Sequence, residues 1–445
     1  MASSTRSVLV RLPREILTMI FSHVDNPSQL RGVVLACKDL HAAVIGNQTA
    51  ISFSMIRRHN DEEWMHMAMA RYAAATAPWK QPLEPSLWTR ALSSTYQEKI
   101  DRFCEDHLQS QTPLLQQNST LAMAHSILSF QSAVAKISGF YGNAIANPIL
   151  YAAGRDADPN MMANVNLPMF EQAPMTETER IRVEKALYII ELIRYLFPLH
   201  VGIQRQYQSR SNADWLFNRF WRCFAPWENR QVDLMVRWMQ TSLKRALKGD
   251  HFKRVVYRED LLPHDRRVEA IIVLGIEKMV PIVMRGRGFK SRVVQESLDK
   301  QYSGFLYNHF RWHIEADERA WFNQDAIRGT NTGLIRDCNY LQYNEKDCGP
   351  RDAWLYSLTW VRPRGALRAP LRKFLFNDHY GVMFLCLSMF WDRERLDRTY
   401  LGLFPSHKDM IQPNANRRIS LPVDVSKDVL GQKRGGEEGI VVVIG

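Results

Sequence analysis

Near the start of the chain the apolar positions fall at Ile16, Leu17, Ile20, Phe21 and Val24, with polar or charged residues between them. That spacing predicts a short amphipathic helix. Pro13 suits its first helical position, and Glu15 in the first turn complements the helix dipole. Asp25-Asn26-Pro27-Ser28 stops the helix and starts a second. Leu30, Val33, Val34 and Cys37 then recur at helical spacing, and Leu40 with Val44 carries the pattern into a third. Helices this short cannot close a core by themselves, so their apolar faces need another surface.

Further along, residues 51 to 77 read as helical, and Pro78, Pro82 and Pro85 mark a connection. Helices are expected from Leu87 to Cys104 and from Ser119 to Phe140. The region 143–175 differs: it holds Pro148, Pro159, Pro168 and Pro174, few charges and no helical period, and reads as a long loop. Thr176, three residues before Glu179, closes it with a capping-box arrangement. The helix that follows, to about Phe197, is apolar on most sides and is expected to be buried. Arg230 to Lys248 is the clearest amphipathic helix, with a stripe of Val232, Met235, Val236, Met239, Leu243, Ala246 and Leu247. Ile271 to Met284 is short and β-branched, and periodicity alone leaves strand and helix open. Residues 411–445 are polar and Gly-rich and read as a flexible tail closing on Ile440 to Ile444. The fold class expected is mainly α: an N-terminal three-helix module (1–50), a non-repetitive, predominantly helical globular body (51–410) and that tail.

Composition narrows the class. In 445 residues, 46% are hydrophobic and there are 12 Trp, 15 Tyr and 20 Phe, enough for a folded body. No signal-peptide core and no long apolar run is found, so no membrane association is expected, and the location expected is cytoplasmic, nuclear or both. The six cysteines (37, 104, 223, 338, 348 and 386) have no close spacing, and reduced thiols are expected. The formal charge of +12 suits an acidic partner without choosing protein or nucleic acid.

The order Leu12-Pro13-x-Glu15-Ile16, Ile20, Val24, Asp25-x-Pro27, Leu30, Val34, Cys37-Lys38, Leu40 resembles an F-box. The match covers under a tenth of the chain. The resemblance implies a three-helix adaptor that binds a Skp1-like subunit and, through it, a cullin, with Leu12, Pro13, Ile16, Ile20, Leu30, Val34 and Cys37 packing into that partner. Leu40 departs from the pattern, since many F-boxes carry Trp there, and an aliphatic residue softens the contact. The body is expected to select a protein substrate. No leucine-rich period is present, and Trp391-Asp392 is the only Trp-Asp pair, which excludes a WD40 array. The arrangement also resembles, more loosely, fungal F-box proteins whose body carries segments like Cys348-Gly349-Pro350-Arg351-Asp352-Ala353-Trp354 and Met389-Phe390-Trp391-Asp392.

No catalytic set, metal site or cofactor is expected. His309 and His313 stand four apart, but the Glu that should follow the first His is absent, so surface histidines are the better reading. Gly286-Arg287-Gly288 and 328–333 lack the Gly-Lys-Ser/Thr ending of a phosphate loop. Two basic stretches remain. The first has Arg230, Arg237, Lys244, Arg245, Lys248, Lys253 and Arg254 against Asp233 and Asp250. The second has Arg362, Arg364, Arg368, Arg372 and Lys373 with no acid. Arg237, Lys244, Arg364 and Arg368 are the candidates for an acidic or phosphorylated ligand, or for nucleic acid, weighed against ordinary solvated helix faces. A basic nucleic-acid or phospho-ligand binder with a purely structural N-terminal hairpin is the competing class.

Overall fold

The computed structural model describes residues 12–25, 27–59, 62–77, 94–109, 119–146, 173–197, 219–247, 268, 271–285, 347–361 and 389–399. Among them the regular structure is helical, with no strand, as the mainly α class requires. The chain divides into two units: Met1–Ile137, Leu187–Cys223 and Met239–Phe305 form one, and Ser138–Ala186, Phe224–Trp238 and Leu306–Gly445 the other. No helix among the described residues is long and apolar enough to cross a membrane.

The first unit opens with α1 (Arg14–Ser22), α2 (Pro27–Ala36), α3 (Lys38–Gly46) and α4 (Gln48–His59). Pro27 takes the first position of α2, where its missing N–H is harmless. Pro13 stands one place earlier than expected. It is the N-cap of α1, in extended backbone (φ −54, ψ 149), and its carbonyl accepts the Leu17 N–H at 3.1 Å. Cys37 caps α3, its sulfur accepting the Leu40 N–H at 3.5 Å. The surface these helices need is supplied by the chain itself. Leu17, Phe21, Leu30, Leu40, Ala43 and Val44 are buried in one cluster with Ile51 and Met55 of α4. Leu121 and Leu128 pack against its edge. The cluster therefore runs past residue 50. Arg58 of α4 ties it further, donating to the Ser22 carbonyl and pairing with Asp25.

Residues 51 to 77 form two helices, α4 and α5 (Glu62–Thr76). Next come α6 (Ser94–Cys104), which runs into a π turn (Glu105–Gln109), and α7 (Leu121–Ala146). Thr120 caps α7 through its hydroxyl, which accepts the Met123 N–H at 3.2 Å. α7 continues through Ala146, into the stretch read as loop. Ala144, Ile145 and Ala146 sustain a helix that the nearby Pro148 obscured in the sequence. Residues 147–172 lie outside the described residues, as do residues 87–93 and the tail.

The buried helix is α8 (Glu177–Leu196), and its capping box is present on both sides. The Glu179 N–H donates to the Thr176 hydroxyl at 3.2 Å, and the Thr176 N–H donates to Glu179 Oε2 at 3.0 Å. Two further helices, α9 (Pro226–Leu247) and α10 (Ile276–Arg285), follow. In α9 the stripe of Val232, Met235, Val236, Met239 and Leu243 is buried as predicted. The open choice at 271–284 resolves to helix. Residues 271–274 make a helical turn, and Gly275 breaks it at φ +104. α10 then restarts with Ile276, Met279, Ile282 and Val283 buried and Glu277 and Lys278 exposed. Its start is capped from α8, where buried Glu191 accepts the Ile276 N–H at 2.6 Å. In the second unit, α11 (Gly349–Val361) and α12 (Arg393–Thr399) complete the described helices.

Candidate functional site

One flank of α1, beside its core-facing side, carries further apolar residues. Leu17 and Phe21 point inward, while Ile16 and Ile20 are each 38% exposed and Met19 is 54% exposed. These three follow i, i+3, i+4 spacing and so share one stripe. Two hydroxyls on the other side of the helix bond back to its own backbone. Thr18 donates its hydroxyl to the Arg14 carbonyl at 2.8 Å and Ser22 to the Thr18 carbonyl at 2.7 Å. Leu35, at the end of α2, is 74% exposed.

Of the residues taken from the F-box pattern, Ile16 and Ile20 lie on this stripe, and Pro13 is exposed at its start. Leu12, Val34 and Cys37 are half-buried against the cluster beneath. Leu30 is turned wholly into the core and presents no surface, and so is Leu40, the position of the Trp departure. Met19 and Leu35 belong to the exposed set and were not singled out in the sequence. The signal for Met19 was its i+3 offset from Ile16, and Leu35 had none, because the α2 pattern does not say which of three adjacent apolar residues faces out.

A second constellation lies in the other unit. The two segments flagged as body signatures, 348–354 and 389–392, come together on the first turns of α8. Arg182, almost fully buried, donates Nη1 to Asp392 at 2.6 Å and to the Phe390 carbonyl at 3.2 Å. Its Nη2 donates to Asp347 at 2.8 Å. Asp347 also accepts the backbone N–H groups of Gly349 and Arg393, each at 3.1 Å. Buried Glu179 receives Arg395 through two parallel bonds of 2.6 and 2.9 Å. Arg393 reaches the fully buried Asp352 at 2.6 Å. Charges removed from water persist only when paired in this manner. Each of the carboxylates named is engaged, so the arrangement cross-links segments.

Asp392 makes the cluster acid-sensitive. Burial raises its pKa, but the Thr176 and Thr178 hydroxyls and the Arg182 charge outweigh this and hold the carboxyl below its ordinary 3.8. A depressed folded-state value contributes stability that is complete above the unfolded value and is lost as pH falls through the folded one. The urea midpoint of the protein is therefore expected to fall below about pH 4. Asp392→Asn should be less stable near neutrality and show a shallower fall between pH 5 and 3, and an identical slope in both proteins would overturn the assignment.

The basic candidates fare differently. Arg237 donates to Asp233 at 3.1 Å, and Arg230 binds the same buried carboxylate at 3.0 Å. The first basic stretch thus spends two of its cations on its own helix. The Lys244 side chain, Arg364 and Arg368 lie outside what the structure describes, as do His309, His313, Gly286-Arg287-Gly288 and 328–333. No group of three or more metal-ligating side chains occurs among the described residues.

Compared with known proteins, the chain matches no family model, no curated protein and no solved structure.

Proposed function

We propose that this chain is a substrate-recruiting F-box subunit of a Skp1–cullin–F-box ubiquitin ligase, docking on a Skp1-like adaptor through α1 and α2. The observation that carries the reading is the exposed flank of Ile16, Met19 and Ile20 on a helix whose core-facing residues, Leu17 and Phe21, are already packed with α4. It falls within the segment whose residue order resembles an F-box. Leu30 and Leu40 support the stripe from below, and the contact itself falls to Pro13, Ile16, Met19, Ile20 and Leu35. Because Ile16 and Ile20 are already more than half covered, finishing their burial contributes roughly 1 kcal/mol each. Association costs at least about 4 kcal/mol, so the adaptor interface extends beyond these side chains. The rest of the chain carries the substrate, and no residue needs to be catalytic.

Ile16→Asp tests this directly. The variant places an unpaired carboxylate in the contact and is expected to weaken adaptor binding on the order of 100-fold or more. Its thermal stability should stay close to wild type, since Ile16 is outside the core. Leu17→Ala, one residue along, should do the reverse, costing roughly 2–5 kcal/mol of stability with binding retained by the molecules still folded. Undiminished pull-down of a Skp1-like protein by a folded Ile16→Asp variant would sink the reading. The competing nucleic-acid reading has lost Arg237 to Asp233, and no observation among the described residues favours it.

A further inference from the structure

Two thiols far apart in sequence meet in the first unit. Cys104 is the last residue of α6 and is 2% exposed, whereas Cys223 ends the 3-10 turn Trp221–Cys223 and is half-buried. Both are free thiols, and they stand near enough for each to shift the other's acidity. The surroundings of Cys223 are built around its sulfur. Gln109 Nε2, from the π turn after α6, donates to it at 3.6 Å, and the thiol can donate to the Arg219 carbonyl at 3.3 Å. Arg219 in turn faces Asp101 of α6 at 3.5 Å, so the same two segments are held together by an ion pair as well.

We propose that Cys104 and Cys223 are a peroxide-sensitive dithiol that closes reversibly into an intramolecular disulfide, Cys223 reacting first and Cys104 resolving. Exposure sets the order. A small neutral oxidant reaches half-buried Cys223, and Cys104 behind it is shielded. The electrostatics agree in direction. The neighbouring Cys104 thiol, assisted by Gln109, holds the Cys223 thiol below its ordinary value against the opposing effects of burial and Asp101. The same contact, with burial and the nearby Asp101 and Glu105 carboxylates, pushes the Cys104 thiol up. An accessible thiol of lowered pKa with a second thiol in reach is the arrangement that reversible oxidation requires.

In the first step the Cys223 thiolate attacks one oxygen of hydrogen peroxide. The S–O bond forms as the O–O bond breaks, and hydroxide leaves to be protonated to water. In the second step the Cys104 sulfur attacks the sulfenic sulfur of Cys223. The S–S bond forms as the S–O bond breaks, and the departing hydroxide takes up the Cys104 proton. Two thiols and one peroxide give one disulfide and two waters. A dithiol reductant reverses the change by exchange. The bond joins the end of α6 to the turn at 221–223, both within one unit, and it is independent of adaptor docking.

The experiment uses the full chain, reduced with dithiothreitol, desalted and titrated with hydrogen peroxide. The expected result is a loss of two hydrogens in intact mass and a cross-linked Cys104–Cys223 peptide after digestion. Dithiothreitol should remove both. Cys104→Ser should stop at a sulfenic acid on Cys223 that dimedone labels, and Cys223→Ser should leave Cys104 reduced at the same dose. Peptide mapping of the wild-type protein decides the matter without either variant. If Cys104 and Cys223 both remain alkylatable when half-buried Cys37 is already oxidised, or if Cys223 joins another cysteine instead, the proposal falls.

Discussion

Glu179→Ala is expected to unfold the second unit at temperatures the wild type withstands. The Glu179 carboxylate accepts from the Thr176 N–H, the Asp392 N–H and two nitrogens of Arg395. Its removal strips α8 of half its capping box, worth about 1 kcal/mol. More costly is Arg395, which is 5% exposed and would keep only the Ala173 and Pro174 carbonyls among the partners described. Leaving a buried charge without its counter-ion costs roughly 3–5 kcal/mol. Whole domains are stable by about 5–15 kcal/mol, so the loss is comparable to the total. Denaturant unfolding followed by tryptophan fluorescence measures it, because Trp227, Trp354 and Trp391 are all buried in this unit. Glu179→Ala combined with Arg395→Met should recover part of the loss, since removing both charges is cheaper than removing one. A single variant as stable as wild type would mean that the cluster contributes nothing to folding.

Gly349→Ala should be nearly as damaging by a different route. A Cβ at this position would stand 2.5 Å from the Trp391 carbonyl oxygen and 2.6 Å from the Arg393 nitrogen. Both are backbone atoms and cannot swing aside as a side chain could. The segment 389–393 must retreat from the start of α11, which lengthens the bonds from Asp347 to the Gly349 and Arg393 N–H groups. Overpacking of this kind typically costs 1–3 kcal/mol, and the upper end, about 3 kcal/mol, is expected where backbone is the obstacle. The denaturation midpoint should fall in step with this loss, with little change in the slope of unfolding. Gly32→Ala, where nothing lies within 4 Å of the added atom, should be neutral or slightly stabilising and serves as the control.

The local devices of this protein were legible in its sequence because each is contained within a few residues. Thr176 and Glu179 lie three apart, so the capping box could be read and is found with both of its bonds. The α9 stripe repeats within one helix, and its burial follows from spacing alone. Ile271 to Met284 could not be read so simply. Its helical period emerges only when counting starts after Gly275, a glycine whose positive φ sequence does not announce. The end of α7 was misplaced because a proline nearby outweighed the helix-forming residues before it.

What the amino-acid order determined by itself was the helical class, the capping box at Thr176, the apolar stripe of α9 and the F-box-like run at Leu12 to Leu40. Only tertiary structure decided which apolar residue of each pair faces water. Ile16 and Leu17 are adjacent and similarly hydrophobic, and they part because Leu17 joins the buried cluster that includes Ile51 and Met55 of α4. Only tertiary structure brought Asp347 and Asp392 to Arg182, and Cys104 to Cys223. A carboxylate or a thiol carries no periodic mark of its partner. The pairing is set by which helices pack together, and burial then makes that pairing obligatory.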